Sequence, residues 1–184
     1  MNQTALETEN PAVAANRNPA MAAPFIGLRI SVPAEWIDIN GHMNATRYGL
    51  AVYDAHVNFT EALGLGEAYV QATGCGKAVL ESHLIYEREA SLDDELEIRS
   101  WLLAVDTKRL HFFHEMVNLT RGFRTAAAEQ VDIHIDLAAR RSCMFSPAMY
   151  TQLQAVVSHH LAQPQPQGVG SRIRPPGNLW RDNH

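Results

Sequence analysis

Apolar residues recur at helical spacing between positions 45 and 63. The side chains that share this stripe, separated by four, three, four and four residues, are Tyr48, Val52, Ala55, Phe59 and Leu63. That spacing predicts one amphipathic α-helix over about 45–63. Asn44 stands just before it, and its side chain can accept a hydrogen bond from a free N–H of the first turn. Gly64 and Gly66 follow the stripe and predict the end of the helix.

The pattern after this helix is typical of β-strands. Leu96 and Ile98 alternate with Glu95, Glu97 and Arg99, as in a strand with one buried face. A glycine-containing connection is predicted over 66–76. The predicted strands cover 25–32, 77–90, 95–105, 109–119 and 124–136. In the last of them Val131, Ile133 and Ile135 share one face, and Asp132, His134 and Asp136 share the other. Short turns between the last four strands predict an antiparallel meander.

The order of these elements predicts an α+β fold. One long central helix is wrapped by one antiparallel five-stranded sheet, and a closing helix is predicted over 147–161, with Pro147 in its first turn. We predict one domain over 24–161. The polar, Ala-rich stretch 1–23 is predicted to be a mobile tail. The Pro-rich stretch 162–184 is predicted to be an arm or disordered tail, with packing on a partner subunit as one role for it.

Composition narrows the classes of function. The chain of 184 residues is 46% hydrophobic and carries a net charge of −5, which argues against a general nucleic-acid binder. No apolar run is long enough to span a bilayer, and no signal peptide is recognisable. Cys75 and Cys143 are far apart and form no CxxC motif, which favours a reduced, cytoplasmic protein.

A short polar motif precedes the long helix. It reads D-x-x-G-H-x-N-x-x-x-Y, with Asp38, Gly41, His42, Asn44 and Tyr48 at the named positions. Placed between a strand and a long amphipathic helix, and followed by further strands, this motif resembles the hotdog-fold acyl-CoA thioesterases of the 4-hydroxybenzoyl-CoA thioesterase-like group. The resemblance covers about residues 25–160. It implies a hotdog fold, thioester hydrolysis, and a homodimer or dimer of dimers with its pockets at the interface.

Three further stretches resemble the thioesterases associated with bacterial carnitine dehydrogenases. They are VPAEWID at 32–38, KRLHFFH at 108–114 and AEQ at 128–130. This narrower resemblance implies a role in carnitine catabolism and betainyl-CoA, a trimethylammonium acyl thioester, as the substrate. It implies no cofactor, since coenzyme A enters as part of the substrate. Thr46 and Arg47 depart from the pattern of such relatives.

The chemistry of thioester hydrolysis suggests a role for each motif residue. A base or nucleophile must act at the carbonyl carbon, and donors must hold the developing oxyanion. The resemblance implies that Asp38 either activates water or attacks directly. Backbone N–H groups of 41–44, at a helix start, are expected to hold the oxyanion. Each residue also has a structural alternative: Asp38 as a turn residue, Asn44 as an N-cap only, His42 as support for the turn, and Tyr48 as core.

Other residues are candidates for substrate contacts. A cationic acyl group favours aromatic faces and a carboxylate, for which Trp36, one of Phe112 and Phe113, and Glu81 are candidates. His83 shares a strand face with Glu81, and both have a structural alternative. Basic side chains that could meet the CoA phosphates are Lys108, Arg109, Arg140 and Arg141, although turn cations are often merely solvated.

Three alternatives compete with the hydrolase. A metal enzyme is disfavoured, because His111 and His114 point to opposite faces of a strand and no spacing matches a zinc motif. A hotdog dehydratase or hydratase would use a histidine and a carboxylate on the central helix, but His56 and Glu61 are five residues apart and point in different directions. The third alternative is a hotdog domain that binds acyl thioesters without catalysis, against which the intact Asp38 argues.

Overall fold

The computed structural model describes residues 22–170 and residue 173. Its strands are β1 (Phe25–Ser31), β2 (Cys75–Tyr86), β3 (Glu95–Val105), β4 (Arg109–Asn118), β5 (Phe123–Asp136) and β6 (Arg141–Ser142), and its α-helices are α1 (Ala45–Ala62), α2 (Glu67–Thr73) and α3 (Pro147–Leu161). A 3₁₀ turn spans Ala34–Trp36. The predicted central helix, closing helix and five long strands are confirmed to within a few residues. Residues 1–21 of the predicted N-terminal tail, and most of the predicted arm, lie outside the described residues.

Helix α1 is the centre of the fold, and the sheet curls around it. Its predicted stripe is confirmed, since all five side chains are buried. Towards the N-terminal end, Val52 and Ala55 pack against Leu96, Ile98 and Met116 of the sheet. Towards the other end, the core cluster includes Phe59, Leu63, Leu102, Leu110, Phe112 and three side chains of α3. The helix therefore holds both halves of the core together.

The strand order corrects the predicted meander. The order is β1-β3-β4-β5-β2, all antiparallel, so only β3, β4 and β5 form a meander and β2 lies at the far edge. The turn at Asp93-Asp94 does not close a hairpin between β2 and β3. It pairs instead with the chain after β1, because Val32 N donates to Asp94 O and Asp93 N donates to Val32 O, both at 3.0 Å. The chain from β2 to β3 therefore crosses beside the start of α1.

The face of the sheet that meets α1 carries small and polar side chains as well as large apolar ones. On β5, Ala126 and Ala128 pack against the helix, whereas Asp132 and His134 continue the same face and are also buried. On β1, Gly27 lies directly against the helix: a Cβ at this position would be 2.8 Å from Ala55 O. The close approach of α1 thus depends on a missing side chain at Gly27.

The segments around the main elements add features that the sequence did not predict. Helix α2 forms within the predicted connection, between Gly66 as N-cap and Gly74, which has a φ of +66°. Strand β6 adds a sixth strand beside β5. Helix α3 begins with Pro147, as predicted, and Ser146 caps it; the helix covers the C-terminal half of α1. Among the described residues, no helix has the length and hydropathy that a membrane crossing requires.

The described part of the predicted arm packs on its own chain. Val169 contacts the outer face of the sheet, where Trp101, Leu103 and Phe113 are buried. Arg124 Nη1 donates to Gln167 O at 2.8 Å. These residues therefore cover the convex side of the sheet of the same subunit.

Two glycines, one on β1 and one within α1, provide a matched test of the close packing between β1 and α1. We expect Gly27→Ala to lower the free energy of unfolding by about 1–3 kcal/mol, because the added methyl overlaps backbone atoms of Ala55. The control is Gly49→Ala within α1, where the nearest atom would be Leu84 Cδ2 at 3.9 Å. That change is expected to stabilise the protein by about 0.5–1 kcal/mol through helix propensity. Urea unfolding measures both; equal effects of the two substitutions would contradict the close approach at Gly27.

Candidate active site

The motif before α1 folds into one tight turn. Asp38 N donates to His42 O and Gly41 N donates to Asp38 O, both at 3.0 Å. Gly41 has a φ of +83°, a conformation that favours glycine. Asp38 Oδ1 accepts a hydrogen bond from Asn40 N at 2.8 Å, which holds one carboxylate oxygen in place. Asp38 Oδ2 has no partner within the described part of the chain.

Main-chain bonds fix this turn to the rest of the molecule. Met43 N donates to Ala90 O, and Asn44 N donates to Trp36 O, each at 2.8 Å. Ile37 and Met43 also form an antiparallel bridge. The position of the Asp38 carboxylate is therefore set by backbone contacts on both sides of the turn.

The start of α1 places a further N–H next to the predicted donors. Asn44 is an N-cap, as predicted, and its Oδ1 accepts from Thr46 N at 2.9 Å. The N–H groups of Gly41, Met43 and Asn44 are used in the bonds described above, so three of the four predicted donors hold the turn. The N–H of Ala45, the first helical residue, has no partner among the described residues.

A cavity of about 420 Å³ opens beside the turn. Its lining residues are Asp38, Asn40, His42, Met43, Ala45, Tyr48, Tyr86, Glu87, Arg88 and Glu89. The rings of Tyr48 and Tyr86 meet edge to face with their centroids 5.4 Å apart. Tyr86 Oη donates to Ala45 O at 3.2 Å, which ties the end of β2 to the start of α1. The cavity thus joins a carboxylate, a helix N-terminus and an aromatic wall.

The charges around the cavity are mainly negative. Glu87 is paired with Arg124, whose Nε lies 3.0 Å from Glu87 Oε2. The guanidinium of Arg88 stacks on Phe123 at 4.8 Å from the ring centroid. Glu89 is 72% exposed, and its Oε1 lies 3.6 Å from His42 Nε2. Asp38 and Glu89 are therefore the carboxylates of the cavity that no arginine or lysine neutralises among the described residues.

Two predicted residues have structural roles beside the cavity. Tyr48 is buried, and its hydroxyl accepts a hydrogen bond from Ala90 N at 3.0 Å. Burial raises the pKa of Tyr48, so the phenol stays neutral. Trp36 packs against the core near the helix start, and the guanidinium of Arg47 lies 6.0 Å from its ring centroid. Trp36 is thus next to the turn and outside the cavity lining.

Glu81 and His83 lie away from the cavity. They share a face of β2, as predicted, and His83 Nε2 is 2.8 Å from Glu81 Oε1. Leu84 and Tyr86 point from β2 towards α1, so residues at odd positions of this stretch point to the other face. His83 lines a second cavity, together with Phe113 and Arg124 on the convex side of the sheet.

Three other predicted contacts are also remote from Asp38 within one chain. Phe112 is fully buried in the core, and its ring centroid lies 5.9 Å from that of Phe59, so it does not form a wall of the cavity. Lys108 and Arg109 lie at the β3–β4 turn, where Arg109 pairs with Asp106. That turn is at the C-terminal end of α1, about 27 Å along the helix from its start.

A buried polar cluster lies between α1 and β5. His56 Nε2 is 2.9 Å from Asp132 Oδ2 and 3.1 Å from Lys77 Nζ. Burial would raise the pKa of Asp132, but the hydrogen bond and charge of His56 and the charge of Lys77 lower it. Glu61 lies elsewhere and accepts from Glu67 N. His56 and Glu61 therefore do not form the acid–base pair that a hydratase would need.

Burial also fixes the protonation of a neighbouring histidine. His114 stacks against Phe112 and lies 5.4 Å from the His56 ring. Burial, reinforced by the charge of His56, lowers the pKa of His114 to about 3. His114 is thus a neutral core residue at physiological pH, and its Nδ1 is 2.8 Å from Ser100 Oγ.

Sequence reasoning missed the segment that completes the cavity. Tyr86, Glu87, Arg88 and Glu89 were assigned to a strand over 77–90, whereas β2 ends at Tyr86. The signal in the sequence is the charged run Glu-Arg-Glu at 87–89, which breaks the apolar alternation of the strand. Ala45 gave no signal at all, because its contribution is a backbone N–H.

Comparisons with known proteins found a matching family profile and related sequences. The sequence profile of the "Thioesterase-like superfamily" matches residues 32–153. The chain is 33% identical over 139 residues to the betainyl-CoA thioesterase of Pseudomonas aeruginosa, covering 76% of this chain and 87% of that protein. It is 28% identical over 156 residues to the L-carnitine dehydrogenase/betainyl-CoA thioesterase of Ruegeria pomeroyi, covering 85% of this chain and 31% of that longer protein.

A solved structure shares the fold. A Staphylococcus aureus protein determined in complex with CoA superposes with a TM-score of 0.73 at 25% sequence identity, covering 84% of this chain and 98% of that chain. The likeness thus extends over nearly the whole of that protein.

Proposed function

The chain belongs to the thioesterase-like superfamily, and we propose that within it this thioester hydrolase acts on betainyl-CoA at the Asp38 turn. The observation that carries the proposal is the cavity beside Asp38. The turn and the helix start offer a fixed carboxylate and a free helical N–H, and a second wall, the segment 86–89, offers Tyr86 and Glu89. The first pair suits the thioester carbonyl, and the second pair suits a cationic acyl group. The betainyl-CoA thioesterase of P. aeruginosa, to which the chain is similar, supports the same substrate.

The geometry suggests how the thioester bond breaks. The carbonyl oxygen accepts from the N–H of Ala45, where the positive end of the α1 dipole stabilises negative charge. In one route Asp38 takes a proton from water, whose oxygen attacks the carbonyl carbon. The C–S bond then breaks, and the departing CoA thiolate takes the proton from Asp38. In the other route an Asp38 oxygen attacks the carbonyl carbon, the C–S bond breaks and CoA leaves as the thiolate. Water then cleaves the resulting anhydride, which restores Asp38, and a proton from that water neutralises the thiolate. Gly41, His42 and Asn44 hold the turn in both routes.

The second wall suits the trimethylammonium group for two physical reasons. A quaternary ammonium near the face of an aromatic ring gains about 0.5–2 kcal/mol, and Tyr86 presents its half-exposed ring to the cavity. Glu89 adds a carboxylate that no arginine or lysine neutralises within the described residues. We therefore propose Tyr86 and Glu89 as the contacts of the cationic acyl group, in place of Phe112 and Glu81.

The exposed apolar surface favours a homodimer. Among the described strands, β2 pairs only with β5, so its other edge is open along twelve residues. Leu50, Tyr53 and Val57 form an exposed stripe on α1, and Val79 and Leu80 are exposed on β2. Edge strands with such surfaces pair readily with another chain. We infer that two copies join their β2 edges into one continuous sheet, and that the partner closes the open side of the cavity.

The two cysteines support a cytoplasmic location. Cys75 and Cys143 are free thiols, as is usual in a reducing compartment. Acyl-CoA, the proposed partner molecule, is a soluble thioester, so the proposal involves neither nucleic acid nor a membrane.

Asp38→Asn tests the catalytic role. We expect kcat to fall by at least about a hundredfold, because the amide keeps the acceptor for Asn40 N but cannot take a proton. The melting temperature should change little. The control is Asp54→Asn, which changes an exposed carboxylate in the middle of α1 and should leave kcat unaltered. Release of free CoA thiol is the measurement, and wild-type activity of Asp38→Asn would show that the hydrolytic centre is elsewhere.

The acyl preference is tested with two isosteric substrates. Betainyl-CoA and the uncharged 3,3-dimethylbutanoyl-CoA differ only in the atom that carries the three methyl groups, N⁺ or C. The ratio of their kcat/KM values therefore measures the effect of the positive charge on catalysis. We expect the wild type to prefer betainyl-CoA and Glu89→Gln to lower this ratio about fivefold, since two exposed unit charges at 4 Å interact by about 1 kcal/mol.

Glu81→Gln is the matched comparison for Glu89→Gln. Both glutamates are exposed and lie next to a histidine, but only Glu89 lines the cavity beside Asp38. We expect Glu81→Gln to keep the wild-type ratio. Wild-type preference for the uncharged thioester would refute betainyl-CoA as substrate, while the hydrolase activity would stand.

The dimer is tested by charge placed on the open edge. Leu80→Lys should weaken self-association at least about tenfold, equivalent to about 1.4 kcal/mol, because β2 edges would then carry facing cations. Leu119→Lys alters a similarly exposed leucine in the β4–β5 turn and should leave the association unchanged. Sedimentation velocity over a range of concentrations gives both constants. An active wild-type monomer at micromolar concentration would refute the β2 interface.

A further inference from the structure

Three potential metal ligands meet at the end of the sheet away from Asp38. Cys75 begins β2, His134 lies near the end of β5, and Cys143 follows β6. Their ligand atoms all lie within 4.8 Å of one another. Sequence spacing could not predict this cluster, because the pairing of β2 and β6 with β5 is what brings the three residues together.

The distances fit the edges of a tetrahedral zinc site. Zn–S bonds of about 2.3 Å and Zn–N bonds of about 2.0–2.1 Å place two sulfur ligands about 3.8 Å apart, and sulfur and nitrogen about 3.5 Å apart. Cys75 Sγ and Cys143 Sγ are 3.8 Å apart, and Cys143 Sγ lies 3.3 Å from His134 Nδ1. The two sulfurs are thus at the separation that one shared metal ion would give them.

The surroundings of His134 also suit a metal ligand. Its Nε2 lies 2.9 Å from the hydroxyl of Tyr69, and Phe145 stacks on the ring at 4.4 Å. When the proton is on Nε2, that nitrogen donates to Tyr69 and the Nδ1 lone pair faces Cys143 Sγ. Metal-binding histidines commonly donate their second N–H in this way. Nδ1 is also 3.1 Å from Cys143 O, so the other tautomer is available to the metal-free chain.

We propose that Cys75, His134 and Cys143 bind a thiophilic divalent metal ion, Zn²⁺ in particular. Both thiols lose their protons on binding, and water completes the tetrahedron. The bound ion joins the start of β2 to the end of β5 and to the segment that leads into α3. The site therefore acts as a cross-link of the fold, remote from the Asp38 cavity.

Cobalt binding provides the direct test. The full chain, reduced and freed of metal, is titrated with Co²⁺ under argon. We expect one Co²⁺ per chain, with thiolate-to-cobalt charge-transfer absorption and the visible bands of a tetrahedral ion, both removed by equimolar Zn²⁺. Cys75→Ser and Cys143→Ser each remove one thiolate, so each should lower the charge-transfer absorbance per Co²⁺ below the value for two thiolates. His159→Gln, which removes an exposed histidine of α3, should leave the spectrum unchanged.

Two further measurements keep the test independent of how the variants fold. Zn²⁺ should protect both thiols of the wild type from alkylation and raise its melting temperature. Tyr69→Phe keeps the ring and should weaken Zn²⁺ binding by at least about tenfold, the usual effect of losing a partner of a ligating histidine. Absence of a thiolate–cobalt band in the reduced wild type would overturn the proposal. A chain that binds no metal, and instead forms a Cys75–Cys143 disulfide with peroxide, would overturn it too.

Discussion

The close fit of α1 into the curled sheet is the constraint on which the other features depend. The helix lies so near β1 that Gly27 has no room for a side chain, and β5 offers only alanines where it meets the N-terminal half of the helix. Buried large side chains then fill the C-terminal half, where α3 closes the core. Because the sheet curls around one helix, the two ends of that helix become separate environments. The start carries the Asp38 turn, and the far end carries apolar packing.

The cavity follows from where the chain crosses between β2 and β3. The crossing segment passes the start of α1, so Ala90 receives a hydrogen bond from Met43 and donates one to Tyr48. This contact brings residues 86–89 beside the Asp38 turn. One set of main-chain bonds thus fixes both the Asp38 turn and the neighbouring part of the cavity lining.

The features that depend on a local sequence pattern could be predicted from the sequence alone. The spacing of apolar residues defined α1, Asn44 was correctly assigned as its cap, and β3 was predicted with its observed bounds. The motif around Asp38 could be found because all its parts are contiguous. The strand order could not be predicted in this way. A short turn at Asp93-Asp94 is equally compatible with a hairpin and with the observed pairing to Val32. Glu81 and Glu89 could not be distinguished either, because the choice depends on which face of β2 meets the helix and on where that strand ends.

The way in which residues 86–89 are held has a consequence for how such an enzyme can diversify. The backbone N–H groups of Glu87 and Arg88 both donate to Thr125 O, and the next anchor is the main chain of Ala90. These bonds do not depend on which side chains the segment carries. Mutation can therefore exchange the side chains with which residues 87–89 line the cavity while the loop keeps its path. The lining of the cavity can thus vary in its side chains while the backbone that holds the Asp38 turn stays the same.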